Sequence, residues 1–534
     1  MNTLKLSFVL TAALITTAVG AADPLARAKQ VGERCWQDVK VLADDSLEGR
    51  RAGSEGHRKA AAFVAEEFRK AGLKPGGDAG GFLQSVQLEV RQIDEPKSSL
   101  GLVFGGQGRP LKFGDDAGFS LRGNFTREVD APLVFVGHGL KLPQYGVDDL
   151  AGLDLKGKIV VAFNSAPTQV PGGAGAHFGS GAERWKVYGP AGAVGMVLIP
   201  NPHTMDLPWE RAVQQRLEPF MVRKGSDDPF AGQKIWVMFN PARFATLLEG
   251  SGHTADELLA VLKEGKPMPH FDLAARLTAV QEVAVSTVTS ENVVGVLPGS
   301  DPKLRSEYVV LSGHLDHLGV REEGEDKKAD RIFNGALDNA AGVSVLMQIA
   351  RELAKDETPK RSIVFTAVTA EEMGLLGSSA YVAKAKVAGQ KIVANLNSDM
   401  FLPIYPIKHL VVFGLEESDL ADDARAVAAE LGIDVMTDPQ PLRNRFIRSD
   451  QYSFIRAGVP SIATKIGVTR DSPEAELEKK WQAERYHGVT DDVNQPVDLV
   501  AIGTYQELCK RLALRVANRA AAPRWYDSSV FSKL

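Results

Sequence analysis

Seven residues of this chain carry the side chains that hydrolytic metal chemistry needs: His314, Asp316, Asp338, Glu371, Glu372, Asp399 and His487. Each follows an apolar run or sits in a polar loop. Imidazole nitrogens and carboxylate oxygens are the ligands a zinc-type cation takes, and two cations sharing a bridging carboxylate need about five protein ligands and a water. The set supplies that number with one glutamate to spare. Adjacent glutamates permit a division of labour, one holding metal while its neighbour takes a proton from the water.

Each residue alone has a plainer reading. His314 follows Tyr308-Val-Val-Leu311, a β-branched run, and is equally consistent with a polar residue closing a strand. Extended alternation would put Asp316 on its face, where the carboxylate could orient the imidazole, and His317 on the other, which sets His317 aside as a ligand. Asp338-Asn339 precedes a segment in which Ala341, Val345, Ile349 and Leu353 recur at helical spacing, so either polar residue could be an N-cap. Glu371-Glu372 follows the apolar run Ser362–Val368 and precedes a helix-like Gly374–Tyr381, where carboxylates can serve only the helix dipole. Asp399 ends the run Lys391–Leu396 as a turn residue would, and His487 lies in a polar loop. These plain readings do not predict their joint occurrence. In an open α/β sheet, ligands gather beyond the carboxyl ends of the strands, where four of the features fall.

Ser312-Gly-His314-Leu-Asp-His317, Gly335-Ala-Leu-Asp338-Asn-Ala-Ala-Gly342, Thr369-Ala-Glu371-Glu372-Met-Gly-Leu-Leu-Gly377, Asn397-Ser-Asp399-Met400 and the late His487 together resemble the zinc aminopeptidases of the M28 peptidase family. The likeness runs from about Glu291 to the C-terminus. Leu42–Gly53, with the helix-like His57–Ala71, is similar to the segment that opens many of these enzymes. The resemblance implies two zinc ions bridged by Asp338, one also held by His314 and Asp399, the other by Glu372 and His487. It makes Glu371 the general base and Asp316 the carboxylate that holds His314. Arg448-Ser-Asp-Gln451-Tyr-Ser-Phe454 resembles a substrate-proximal motif that often has histidine where this chain has Gln451, which puts local contacts there in doubt.

Between the two matching pieces, Ala131–Gly137, Gly157–Phe163 and Ala191–Pro200 read as strands, with a helix around Trp185. With Tyr145–Lys158 they resemble the protease-associated domain that many relatives insert; His203–His270 carries little signal. Such a domain is either a passive cover or a lid over the metals. The expected layout is a signal peptide at 1–21, an N-terminal part and lead-in at 22–130, the inserted β-rich domain at 131–271, and a doubly wound, mostly parallel α/β catalytic domain at 272–534.

Length and composition agree with several domains, since 534 residues with 44% hydrophobic content suffice for more than one core. A net charge of −5 without a basic tract gives nucleic-acid binding no support. Met1–Lys5 is a short basic start, Leu6–Val19 an apolar run, and Val19-Gly-Ala21 a small-residue cleavage site, which together read as an export leader too short to span a membrane. Cys35 and Cys509, the two cysteines, are compatible with one clasp or with two buried thiols.

The expectation is an exported di-zinc aminopeptidase acting on peptides with a free amino terminus. Three alternatives remain open. A carboxypeptidase-like relative would need a cationic pocket, for which Arg443, Arg445 and Arg448 are candidates. A glutaminyl-cyclase-like enzyme would use one zinc, and a receptor-like binding protein would be expected to have lost ligands.

Overall fold

The computed structural model describes residues 23–123, 126–205, 207–225, 228–321, 329–356 and 358–534. The leader read at 1–21 lies outside the described residues. Among the described residues no helix is long and apolar enough to cross a membrane.

Apolar runs at the expected places form the middle of a large sheet. Ser362–Val368, Glu307–His314, Lys391–Asn397 and Ser461–Gly467 lie side by side and parallel, in that order. The alternation of side chains across this sheet splits its core into two layers. Val309, Leu311, Ile363 and Phe365 face the helices Pro24–Leu42, Glu55–Ala71, Ala341–Asp356 and Leu499–Asn518. Val310 and Val364 face the other way, toward Tyr381 on Leu376–Val387 and Phe454 on Gln451–Ile455. Helices thus cover both faces, which makes the domain doubly wound. The wings depart from the parallel pattern: Val283–Leu297, Leu83–Ile93 and Phe220–Arg223 continue one side antiparallel, and His409–Phe413 is antiparallel to Ser461–Gly467 on the other.

The opening helices are held by local chemistry. Ser54 caps Glu55–Ala71 by accepting from His57 N, and Gly72, at φ 89°, closes it in a left-handed conformation open to glycine at no steric cost. Phe68 from that helix packs against Phe365 of the sheet, ring centroids 6.2 Å apart.

A second sheet of eight strands contains the three strands read from the inserted segment, at Glu128–Phe135, Ile159–Asn164 and Gly195–Pro200, mutually parallel. It also takes Ser99–Phe104, Gln107–Pro110 and Ala117–Phe119 from before the expected boundary at 131, and Phe271–Val280 from beyond 271. The unit therefore extends in both directions past the expected 131–271. The two sheets join through one antiparallel ribbon, Leu83–Ile93 against Val283–Leu297, whose last pair, Ile93 with Val283, marks where the chain leaves and re-enters the larger sheet. Phe220–Arg223, from within the insertion, crosses back to edge the larger sheet.

Cys35 and Cys509 are both free, which removes the clasp. Cys35 is buried in the larger core and Cys509 packs, half-buried, against it.

Candidate active site

The parallel strands deliver the expected residues to one end. His314 is the last residue of its strand, Glu371 lies three residues past Val368 and Asp399 two past Asn397. Asp338 arrives on the loop before helix Ala341–Asp356, and His487 on the turn after helix Pro473–Glu484 with φ 52°.

All five expected ligands meet. His314 Nε2 stands 3.2 Å from both Asp338 Oδ1 and Asp399 Oδ1. His487 Nε2 stands 3.4 Å from Asp338 Oδ2 and from Glu372 Oε2. Asp338 therefore touches both halves of the cluster through different oxygens. Glu371 borders the same group, beside His314 and Glu372. Of the two polar residues that could have been N-caps, Asn339 takes that part: its Oδ1 accepts from Gly342 N at 3.2 Å and its Nδ2 donates to Ser398 O at 2.9 Å. Asp338 is left to turn inward.

Two assignments change. The Asp316 carboxylate does not hold His314; its backbone carbonyl does, 3.0 Å from Nδ1. The carboxylate instead accepts from the Glu371 and Glu372 amides at 3.1 and 3.4 Å, fixing the turn that aims both glutamates. His317, set aside by strand alternation, lies in the cluster with Nδ1 2.8 Å from Glu372 Oε1. The strand ends at His314, so alternation does not carry through to residue 317.

The electrostatics suit a cation. Burial disfavours the ionised form of Asp338, yet His317, His314 and His487 hold its carboxyl well below the ordinary carboxylate range. Burial also pulls His487 down, but Glu372 and Asp338 outweigh it and push the imidazole up to about 9. Glu371 is pushed well above the usual range, first by burial and then, against His314, by Asp399 and Glu372. Among the described residues, buried His317 Nε2 has no hydrogen-bond partner and buried Asp338 Oδ2 has only the 3.4 Å ion-pair contact with His487 Nε2. Mixed nitrogen and oxygen donors, crowded carboxylates and an orphaned buried nitrogen fit a divalent cation.

Gly335 shows how tightly the loop is packed. At φ 58°, a Cβ there would lie 2.2 Å from Asp338 O and 2.6 Å from the His317 ring. Gln451, the departure from the expected motif, is buried and satisfied: Oε1 accepts from Asn397 Nδ2 at 2.9 Å, and Nε2 donates to Phe446 O at 2.9 Å.

The cluster opens into a cleft of about 1340 Å³ shared by both sheets' domains. Arg443, Arg445 and Arg448 line it from the catalytic side, Ser180, Glu183 and Trp236 from the inserted one. Sequence reasoning missed this shared wall because Phe220–Arg223, which brings the insertion to the site, is four residues long and carries no distinctive pattern.

The chain is similar in sequence and fold to several known proteins. Aminopeptidase YwaD of Bacillus subtilis (strain 168) is 28% identical over 239 residues, covering 42% of this chain and 47% of that protein. Carboxypeptidase Q of Rattus norvegicus is 32% identical over 185 residues, 33% of each chain. The chain thus spans less than half the length of these curated relatives. An aminopeptidase from Aneurinibacillus sp. strain AM-1 shares the fold at a TM-score of 0.54 and 19% identity, over 94% of this chain and 97% of that one. Residues 292–513, which hold all five candidate ligands and Glu371, match Peptidase family M28, so this segment of the chain is a domain of the M28 zinc metallopeptidase type.

Proposed function

We propose that this protein is an exported aminopeptidase that releases the first residue of peptides at a two-zinc site. The observation that carries the reading is the convergence of His314, Asp338, Asp399, Glu372 and His487 around Asp338, which contacts both imidazoles through separate oxygens. His314, Asp338 and Asp399 would hold one ion, and Asp338, Glu372 and His487 the other. Bound zinc supplies an acidified water and a Lewis acid for the scissile carbonyl.

The remaining work falls to this chain's own groups. Glu371, raised in basicity, would accept a proton from the attacking water and pass it to the leaving amine. Asp316 holds the Glu371 amide, so the base is carried on a fixed backbone. The acidic cluster favours a protonated amino terminus nearby. The inserted unit, read as a protease-associated domain, forms the opposite wall of the cleft and would exclude water and long or folded chains. The proposal of export rests on reading residues 1–21 as a leader.

A second reading, a carboxypeptidase, is favoured by Arg443, Arg445 and Arg448, which line the same cleft and could receive a terminal carboxylate. One experiment separates the two: cleavage of one short peptide with free, acetylated and carboxy-amidated ends. The aminopeptidase cuts the free and amidated forms and spares the acetylated one. Cleavage of the acetylated peptide from its carboxyl end, abolished by amidation, would establish the second reading instead.

A further inference from the structure

Arg50 is 1% exposed and has no carboxylate within ion-pairing distance among the described residues. Its guanidinium spends its donors on backbone carbonyls. Nε donates to Leu315 O at 2.8 Å, Nη1 to Asn334 O at 2.6 Å and to Leu42 O, and Nη2 to Gly335 O at 3.1 Å. The Leu315, Asn334 and Gly335 carbonyls belong to the two loops that carry His314 and Asp338, and Leu42 ends the helix Pro24–Leu42. Arg50 O also accepts from His317 N at 3.4 Å.

The other side of the Asp338 loop is held by an anion. Asp491, fully buried, accepts from Leu337 N at 3.0 and 3.2 Å and from Asp338 N at 3.0 Å, while its backbone carbonyl accepts from Ala336 N at 3.0 Å. Gln495 donates to the same carboxylate. Residues 334 and 335 are thus gripped by their carbonyls and 336 to 338 by their amides. Asp491 lies four residues past His487, so one carboxylate also ties the Asp338 loop to the turn bearing the last histidine.

We propose that Arg50 and Asp491 are a paired brace that sets the Asp338 loop against His314 and His487, so that the affinity of the site for divalent metal depends on both. A guanidinium that binds carbonyls rather than carboxylates fixes the loop without occupying the oxygens of Asp338, Glu372 or Asp399. Lysine, with a point charge and no planar fork, cannot reproduce four bonds directed at separate carbonyls. The inference rests on the reading that the cluster holds zinc.

Arg361 is the control for burial alone. It is equally buried, at 1%, and donates to Glu307 Oε2 at 2.7 Å and to Arg519 O, away from the cleft. The test measures the Zn²⁺ dissociation constant by chelator competition, the visible spectrum of the Co²⁺ form, and the melting temperature of the metal-free protein. The proteins compared are the wild type, Arg50→Lys, Asp491→Asn and Arg361→Lys. Loss of a group that supports metal ligands costs roughly 10- to 100-fold in affinity, which is the expectation for Arg50→Lys and Asp491→Asn, with an altered Co²⁺ spectrum. Arg361→Lys should melt lower yet bind zinc as the wild type does.

The inference is overturned if both brace variants bind zinc as tightly as the wild type, or if Arg361→Lys loses as much affinity as they do. Should Arg50→Lys be recovered unfolded, Asp491→Asn decides by the same comparison. A wild type that binds no zinc would instead overturn the proposed function.

Discussion

Glu371 and Glu372 are neighbours in sequence with different surroundings, so replacing each with glutamine should have separable effects. Glu372 touches His317 at 2.8 Å and His487 at 3.4 Å, which places it within the candidate ligand shell. Glu371 has its amide fixed by Asp316 and its carboxyl raised in basicity by burial and by Asp399 and Glu372, against His314. Glutamine preserves volume but cannot take a proton. A positioned general base contributes on the order of 10²- to 10⁴-fold, or about 3 to 5 kcal/mol of barrier, so Glu371→Gln should lose that much turnover with its metal content intact. Glu372→Gln should lose metal first, and its activity should partly return as zinc is added. Single-turnover cleavage of an amino-acid amide, run beside metal analysis of the same samples, measures both. Near-normal turnover by fully loaded Glu371→Gln would show that another group accepts the proton. Loss of metal from that variant would place Glu371 among the ligands.

Four further outcomes are expected. His487→Ala should release about one metal equivalent while His317→Ala retains two, as measured by elemental analysis; the reverse result would make His317 the ligand and His487 its neighbour. Burial drives the His57 pKa down to about 4, so the unfolded chain binds more protons between about pH 6.5 and 4; stability falls as pH drops through that window, by up to about 3 kcal/mol, and a His57→Gln variant should show a shallower acid limb in urea titrations. Burial pushes the Cys509 thiol up to about 12 and raises Cys35 as well, so the native protein should resist a thiol reagent and release two reactive thiols per chain on denaturation; fewer than two would mean a disulfide had formed. Because Ile93 pairs with Val283, residues 94–282 can be replaced by an Asn-Gly turn, and the shortened protein should accept longer peptides; an unchanged length profile in a folded, metal-binding protein would make the insertion a passive cover.

The parallel core was legible because buried strands read as continuous apolar runs: Ser362–Val368 forms over the residues expected, and His314 closes its strand. The five candidate ligands and Glu371 were legible as residue types beyond such strands. Less visible was what happens once regular pairing ends. His317 enters the cluster because the chain leaves the sheet after His314, where alternation no longer predicts direction. Asp316 acts through its backbone on His314, and a carbonyl leaves no trace in residue type. The insertion outgrew its expected boundaries because strands such as Gln107–Pro110 are exposed throughout and carry no alternation to mark them. Arg50 was inside a quoted motif, but three of its four carbonyl partners, Leu315, Asn334 and Gly335, lie more than 260 positions away and follow only from the fold.

The central claim is that one carboxylate, Asp338, joins two metal positions, and metal titration of the chelated protein against activity tests it most directly. The account predicts that activity is absent without metal and that the fully active protein holds two zinc ions per chain, with Asp338→Asn weakening both. Full activity at one zinc per chain, or undiminished activity after exhaustive chelation, would contradict it.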